Sequence, residues 1–175
     1  MLAVVYFPKT GLDGINSFRE KYDANWRIIP PHITIVSPLS EPSEERLIEH
    51  VEKVAENQKS FCIHLEELIK TQDGCLFLTV GEGKSGITKL HDNLYSGILA
   101  PYIPTDYPFA PHITLGEFAK VDDALLTTAY TEAQGLSFNL TYEFDALTII
   151  KGNGISPAEV VKVINLGLGK TVGCY

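Results

Sequence analysis

The chain has 175 residues, a formal net charge of −8 and 45% hydrophobic side chains. This length and hydrophobic content predict one globular domain, or two closely packed lobes, with a buried core. The acidic charge balance argues against tight binding along a long nucleic-acid backbone, because such binding requires a basic surface. A small phosphate ester or one end of an RNA strand is compatible with this charge.

The N-terminus and the cysteines bear on the cellular compartment. Leu2–Phe7 is expected to be a first strand and not a signal peptide, because it lacks basic residues and a cleavage site and ends at Pro8. No apolar run reaches the ~18 residues of a membrane span. The three cysteines (Cys62, Cys75 and Cys174) are widely spaced, which favours free thiols in a reducing compartment. The sequence therefore predicts a cytoplasmic protein without membrane association.

Hydrophobic periodicity and turn residues divide the chain into alternating strands and helices. In chain order the predicted elements are a strand at Leu2–Phe7, a helix carrying Leu12, Ile15, Phe18 and Tyr22, a strand between Pro31 and Pro38, a helix from Ser43 through Ala55, strands at Phe61–Ile69 and Cys75–Val80, a helix after Gly81–Ser85 that reaches Ile98, a strand from Pro111, a helix from Asp122 through Ala133, and strands at Leu136–Tyr142, Phe144–Ile150 and Val160–Leu166. This order is typical of an α+β protein.

The phrase Pro-His-Ile-Thr occurs twice, and 80 positions separate its histidines, His32 and His112. Each copy alternates polar and apolar residues, which predicts a strand with one wet face and one buried face. Side chains at i and i+2 of a strand share a face, so each histidine is expected beside a threonine, Thr34 or Thr114. The isoleucines between them would then point into the core.

The two halves of the chain repeat one order of predicted elements, namely strand, helix, histidine strand, helix and strand, and a further strand ends the second half. Residues 2–69 form the first predicted repeat, residues 75–150 form the second, and a C-terminal strand follows at 157–167. Each Pro-His-Ile-Thr phrase occupies the same place in its half. The sequence therefore predicts an internal duplication with pseudo-two-fold symmetry within a single domain, residues 1–175.

Histidine beside threonine on an open strand face suits acid–base chemistry at phosphorus. Cleaving a phosphodiester needs one group that accepts a proton and one that donates a proton, and histidine does either near neutral pH. We therefore predict that His32 and His112 are catalytic. Thr34 and Thr114 would bind the substrate by donating hydrogen bonds to its non-bridging oxygens. The scheme requires no metal and no cofactor, and the symmetry of the phrase leaves open which histidine is the base.

Through its two His-x-Thr-apolar motifs, at 32–35 and 112–115, the chain resembles the 2H phosphoesterase superfamily, which includes RNA ligase-like 2′,3′-cyclic phosphodiesterases. The resemblance implies two α+β lobes with antiparallel sheets lining a central cleft, helices outside, and both motifs on the cleft floor. It also implies metal-independent attack on a 2′,3′-cyclic phosphate or a 2′-5′ phosphodiester. Ligase-like members typically have a Phe-Leu-Gly-like segment after the first motif, whereas this chain has Val36–Leu39 there and keeps a glycine, Gly116, after the second.

Two alternatives stay open: a non-catalytic protein that binds a nucleotide or an RNA end, and an RNA ligase-like enzyme. Gly83–Ser85 opens a predicted helix but is not a P-loop, because Leu78 stands where the first glycine is required. The isolated histidines His50, His64 and His91 form no metal-ligand pattern. The expected partner is a small phosphodiester or an RNA end, and the sequence leaves the oligomeric state open.

Overall fold

The computed structural model describes residues 1–118, 123–136, 138, 140–167 and 174. In chain order they form β1 (Leu2–Tyr6), α1 (Asp13–Tyr22), β2 (Ile33–Leu39), α2 (Glu44–Ala55), β3 (Phe61–Lys70), β4 (Cys75–Val80), α3 (Lys84–Leu94), a 3₁₀ helix (Gly97–Tyr102), β5 (His112–Glu117), α4 (Asp123–Gln134), β6 (Leu140–Phe144), β7 (Ala146–Lys151) and β8 (Glu159–Asn165). The strands and α-helices follow one another in the predicted order.

The described strands form one antiparallel sheet in the order β6-β3-β4-β5-β2-β1-β7-β8. β2 and β5, which carry the repeated phrases, are neighbours at its centre, where Ile33 lies opposite Ile113. The prediction of an α+β fold with antiparallel strands is confirmed. The strands form one continuous sheet, because β2 and β5 pair across the middle of the molecule.

Both central strands bury their apolar residues, as the alternation predicts. Ile33 and Ile35 of β2 are at most 1% exposed, and Ile113 and Leu115 of β5 are fully buried. These four residues share one hydrophobic core with the apolar sides of all four helices. The histidines and threonines of the phrases therefore lie on the opposite face of the sheet.

The helices form where the hydrophobic stripe is clear. In α2, Leu47, Val51 and Ala55 recur every four residues and are fully buried. Helix α1 buries the predicted Ile15, Phe18 and Tyr22, but it also buries Arg19. Within the described ranges, no helix is both long enough and apolar enough to cross a membrane.

The sheet order is symmetric about the β5–β2 pair, with β4, β3 and β6 on one side and β1, β7 and β8 on the other. Each side mixes the predicted repeats. β3, from residues 2–69, pairs with β4 and β6, while β7, from residues 75–150, pairs with β1. The duplication and its limits stay a prediction, and the single sheet shows that neither half forms its side of the sheet alone.

Several element boundaries differ from the predictions. Helix α3 ends at Leu94 and not near Ile98, because Gly97 adopts the left-handed conformation (φ +55°) and starts a 3₁₀ helix. Strand β2 continues through Pro38, which is tolerated because β2 pairs with β5 only near its start. Strand β6 begins four residues later than predicted. The predicted helix start at residue 122 lies outside the described residues.

A disulfide joins Cys62 of β3 to Cys174, whose Cα atoms are 5.7 Å apart, while Cys75 is free. The prediction of three free thiols is therefore wrong for this pair. The two cysteines are 112 residues apart and belong to no spacing motif, so only the fold brings them together. Disulfides persist mainly in oxidising compartments, so the cysteines do not support the cytoplasmic location, which stays a prediction from the N-terminal sequence.

Candidate active site

The antiparallel pairing of β2 and β5 brings the two His-x-Thr motifs together. Ile33 lies opposite Ile113. When the register is continued by one residue in each direction, His32 lies opposite Thr114, and Thr34 lies opposite His112. Side chains directly opposite each other have Cβ atoms about 4.5–5.5 Å apart. Each histidine is therefore next to the threonine of the other motif, and all four side chains are partly exposed.

Each histidine ring is held by a backbone carbonyl two residues earlier in the chain. Nδ1 of His32 donates to the carbonyl of Pro30 at 2.9 Å, and Nδ1 of His112 donates to the carbonyl of Ala110 at 2.7 Å. A proline follows each of these two residues, and the residue before a proline favours an extended conformation. Because a carbonyl only accepts, the proton of each neutral ring is on Nδ1, and Nε2 carries the free lone pair.

The environment of the two rings favours their neutral forms. Burial, together with the positive charges of Arg19 and of His112 when protonated, lowers the pKa of His32 to about 4, against the opposing effects of the Pro30 carbonyl and of Asp23. Burial also lowers the pKa of His112, again opposed by its carbonyl contact. Without a ligand, both histidines are thus neutral near pH 7 and available as proton acceptors.

A phenylalanine lies beside each histidine. The ring of Phe77, on β4, stacks on His112 with centroids 3.6 Å apart and planes 19° apart. The ring of Phe7 is tilted against His32 with centroids 6.0 Å apart. The stacked contact fixes the plane of His112 more tightly than the tilted contact fixes His32.

A cavity of about 320 Å³ opens on the His32 side of the paired motifs. Three predicted site residues line it, His32, Thr34 and Thr114, whereas His112 lies outside its lining. The lining residues fall into an apolar set, here called the apolar wall, and a polar set, here called the polar wall. The apolar wall consists of Met1, Ala3, Val5, Ile28, Ile29, Pro38, Ile150 and Ala158, and the polar wall includes Arg19, Asp23, Asn25 and Glu117.

Arg19 and Asp23 are site residues that the sequence analysis missed. Both lie within or just after α1 and are almost completely buried at the polar wall of the cavity. Nε and Nη2 of Arg19 bind Oδ2 of Asp23. A sequence signal exists, because Arg19 lies four positions after the buried Ile15 and four before Asp23, on the same side of the helix.

The other three histidines lie away from this cavity. His50 contacts the carbonyl of Leu94 through Nε2, and His91 stacks on Phe109 with centroids 3.8 Å apart. His64 is hydrogen-bonded to a threonine of β6. Among the described residues, no group of three or more His, Cys, Asp or Glu side chains could hold a metal ion.

The chain is similar in sequence to a known family and to proteins of two bacterial genera. A family model described as the 2′-5′ RNA ligase superfamily matches residues 7–155, which include both motifs. A Bacillus licheniformis protein named "Putative phosphoesterase" is 27% identical over 154 residues, covering 81% of this chain and 89% of that protein. A Geobacillus kaustophilus protein of the same name is 28% identical over 153 residues, with 81% and 87% covered.

Solved structures share the fold. A Thermus thermophilus protein, TT0787, aligns with a TM-score of 0.65 at 17% identity, covering 94% of this chain and 97% of that one. E. coli LigT complexed with NADP+ gives 0.61 at 19% identity, with 95% and 98% covered. LigT complexed with 3′-AMP gives 0.59 at 19% identity, with 94% and 97% covered.

Proposed function

The chain belongs to the 2′-5′ RNA ligase superfamily, and from that premise we propose that it is a metal-independent phosphoesterase. Its proposed substrate is a 2′,3′-cyclic phosphate or a 2′-5′ phosphodiester of RNA or of a small nucleotide. The observation that carries the proposal is the pairing of Ile33 with Ile113, which sets a histidine and a threonine of both motifs on one face beside a cavity. The names of the relatives support the reaction class.

In the proposed hydrolysis of a cyclic phosphate, Nε2 of His32 takes a proton from water as the water oxygen bonds to phosphorus. The bond between phosphorus and one ribose oxygen breaks, and protonated His112 gives its proton to that oxygen. The product is a phosphate monoester. His32 ends protonated and His112 ends neutral, and proton exchange with solvent restores both.

We assign His32 as the base because the two histidines have different neighbours. Burial and the charge of Arg19 keep the pKa of His32 low, at about 4, which favours the unprotonated form. The aromatic face of Phe77 against His112 favours a positively charged ring there. A bound phosphate adds negative charge and so raises the pKa of both rings. The site then holds one proton for the leaving group.

The remaining polar groups and the apolar wall suit the rest of the substrate. In the proposal, Thr34 and Thr114 donate hydrogen bonds to the two non-bridging oxygens, where negative charge grows as water attacks. The apolar side chains next to them, such as Val5 and Ile150, offer a dry surface for a nucleobase or sugar. The LigT complexes with NADP+ and 3′-AMP support a nucleotide as the class of ligand.

The proposal is tested by turnover of 2′,3′-cyclic AMP and of a 2′-5′-linked dinucleotide, with products separated by chromatography. His32→Ala and His112→Ala are each expected to lower kcat/KM by about 10²–10⁴-fold, the usual contribution of a general acid or base. His64→Ala is the matched control, because His64 lies away from the cavity and its loss is expected to leave turnover unchanged. Addition of a chelator is expected to have no effect.

Full activity in both variants, or loss of activity with the chelator, would contradict the proposal. Tight binding of 2′,3′-cyclic AMP without any product would instead favour a non-catalytic nucleotide-binding protein. Joined RNA ends in place of hydrolysed ones would favour a ligase.

A further inference from the structure

The buried ion pair of Arg19 and Asp23 leaves one donor group without a partner. Arg19 is 2% exposed and Asp23 is 4% exposed. Nε and Nη2 of Arg19 donate to Oδ2 of Asp23 at 2.8 and 2.7 Å, and Oδ1 accepts the backbone N–H of Asn25 at 2.9 Å. Nη1 of Arg19 is buried, and among the described residues no atom accepts a hydrogen bond from it.

Such a group is uncommon, because nearly all buried polar atoms in proteins are hydrogen-bonded. The Nη1 nitrogen has lost its contacts with water and gained none in return, which is unfavourable for a charged group. Asp23 does not accept a hydrogen bond from Nη1: its Oδ2 binds Nε and Nη2, and its Oδ1 binds the N–H of Asn25. An acceptor brought by a ligand would satisfy Nη1 without disturbing the ion pair.

The position of Arg19 indicates which ligand this is. Arg19 lines the same cavity as His32, Thr34 and Thr114. Its positive charge also contributes to the lowered pKa of His32, so the guanidinium lies within electrostatic reach of that ring. A ligand that contacts the two threonines and the guanidinium at once carries several oxygen acceptors and a negative charge, as a phosphate group does.

We propose that Arg19 is an oxyanion-binding residue, whose Nη1 donates a hydrogen bond to a non-bridging oxygen of the phosphate held at the two motifs. Asp23 is a positioning residue, because it fixes the guanidinium through Nε and Nη2 and leaves Nη1 for the substrate. This inference rests on the proposed phosphoesterase function and adds a third donor to the two threonines.

The charges around Arg19 also select the kind of phosphate. Asp23 offsets the charge of Arg19, and Glu117 adds a carboxylate to the same cavity, where it accepts a hydrogen bond from Asn25 at 3.3 Å. This balance favours a singly charged phosphodiester over a doubly charged monoester. The site therefore takes the substrate in preference to the product and releases the monoester after hydrolysis.

The kinetic test replaces the ion pair without leaving a buried charge alone. The double variant Arg19→Met/Asp23→Asn removes both charges, and it is expected to lower kcat/KM for 2′,3′-cyclic AMP by about 10²–10³-fold while the circular dichroism spectrum is unchanged. Arg27→Met is the matched control, because Arg27 is an exposed cation shortly before the first motif, and its loss is expected to leave kcat/KM unchanged.

A second variant covers the case in which the double variant does not fold. Arg19→Lys keeps a positive charge beside Asp23 but removes the Nη1 donor, so kcat/KM is expected to fall by at least ~10-fold. Wild-type kcat/KM in either folded variant would overturn the inference.

A binding experiment separates this inference from the proposed catalysis. In a His112→Ala background, calorimetry with 2′,3′-cyclic AMP is expected to give a Kd at least ~10-fold weaker when Arg19→Lys is added, and an unchanged Kd when Arg27→Met is added. Equal affinity with and without Arg19, in an enzyme that hydrolyses the substrate, would overturn the inference alone. If the wild-type protein does not hydrolyse 2′,3′-cyclic AMP but Arg19→Lys still weakens its binding, the role of Arg19 would be supported and the proposed hydrolysis would be overturned.

The preference for a singly charged phosphodiester over a doubly charged monoester is tested separately. Glu117→Gln is expected to tighten the binding of 2′-AMP several-fold and to change the binding of 2′,3′-cyclic AMP less, because only the monoester carries a second negative charge. An equal change for both ligands would overturn the role of Glu117.

Discussion

The two sides of the paired motifs begin from the same phrase and differ in what surrounds it. His32 and His112 are held in the same way, each through Nδ1 by the carbonyl two residues earlier. His32 borders the cavity, and the charge of Arg19 contributes to its lowered pKa. His112 lies outside the cavity lining and stacks on Phe77. The shared arrangement comes from the phrase and from the carbonyl of the residue just before it, and the difference comes from distant elements.

This difference separates two levels of function. The carbonyl just before each phrase sets the tautomer and leaves Nε2 of the histidine free, which suits proton transfer. In the proposed mechanism, surroundings that differ between the two sides make His32 the base and His112 the acid. A duplicated motif can thus supply both partners of acid–base catalysis without any change in its own residues.

The first prediction concerns the threonines, for which the two sides are expected to be equal. Thr34→Val and Thr114→Val each remove a hydroxyl and keep the shape, and each is expected to lower kcat by about 10²–10³-fold. Thr79→Val is the control, because its hydroxyl on neighbouring β4 already donates to the carbonyl of Glu67. Steady-state kinetics with 2′,3′-cyclic AMP measure the effect. Unchanged kcat in both variants would show that the hydroxyls do not bind the reacting phosphate.

The second prediction concerns the phenylalanines, for which the two sides are expected to differ. Phe77→Leu removes the stacked ring that favours protonated His112, so kcat is expected to fall roughly 3–10-fold. Phe7→Leu removes a tilted ring 6.0 Å from His32 and is expected to have a smaller effect. An equal loss in both variants would contradict the assignment of different roles to the two histidines.

The third prediction concerns stability in acid. The pKa of His32 in the folded chain, about 4, is below the ordinary value of 6.5, so the unfolded chain binds more protons between these pH values. The free energy of unfolding therefore falls as pH decreases through this window, by up to ~1.4 kcal/mol per pH unit from one group. Urea unfolding at pH 7, 6 and 5 is expected to show a shallower decrease in His32→Gln. Parallel curves for the variant and the wild-type protein would contradict the burial of a neutral ring.

Local patterns were sufficient to predict which side chains of the two motifs share a face of the sheet. A period of two over a few residues decides which side chains of β2 and β5 share a face, and the structure confirms that Ile33 and Ile113 point into the core. The two predicted strands at Phe61–Ile69 and Cys75–Val80 are adjacent in sequence, and in the structure β3 and β4 pair with each other.

Non-local contacts could not be predicted in this way. No sequence pattern specifies that β2 pairs with β5, that Cys62 meets Cys174, or that β1 pairs with β7. Arg19 was missed because a charged residue within a helix usually faces solvent. The four-residue spacing from Ile15 indicates that Arg19 lies on the buried side of α1. Its position at the cavity, which suggests a function, is known only from the structure.

The most direct test of opposite roles for the two histidines is the pH dependence of kcat/KM, which reports the acid and the base of the free enzyme. The wild-type protein is expected to give a bell-shaped profile with its maximum below pH 6.5, because the pKa of each histidine is lowered. The residual activity of His32→Ala is expected to lose the acid limb, and that of His112→Ala is expected to lose the alkaline limb. Loss of the same limb in both variants, or an unchanged bell in either, would contradict the account.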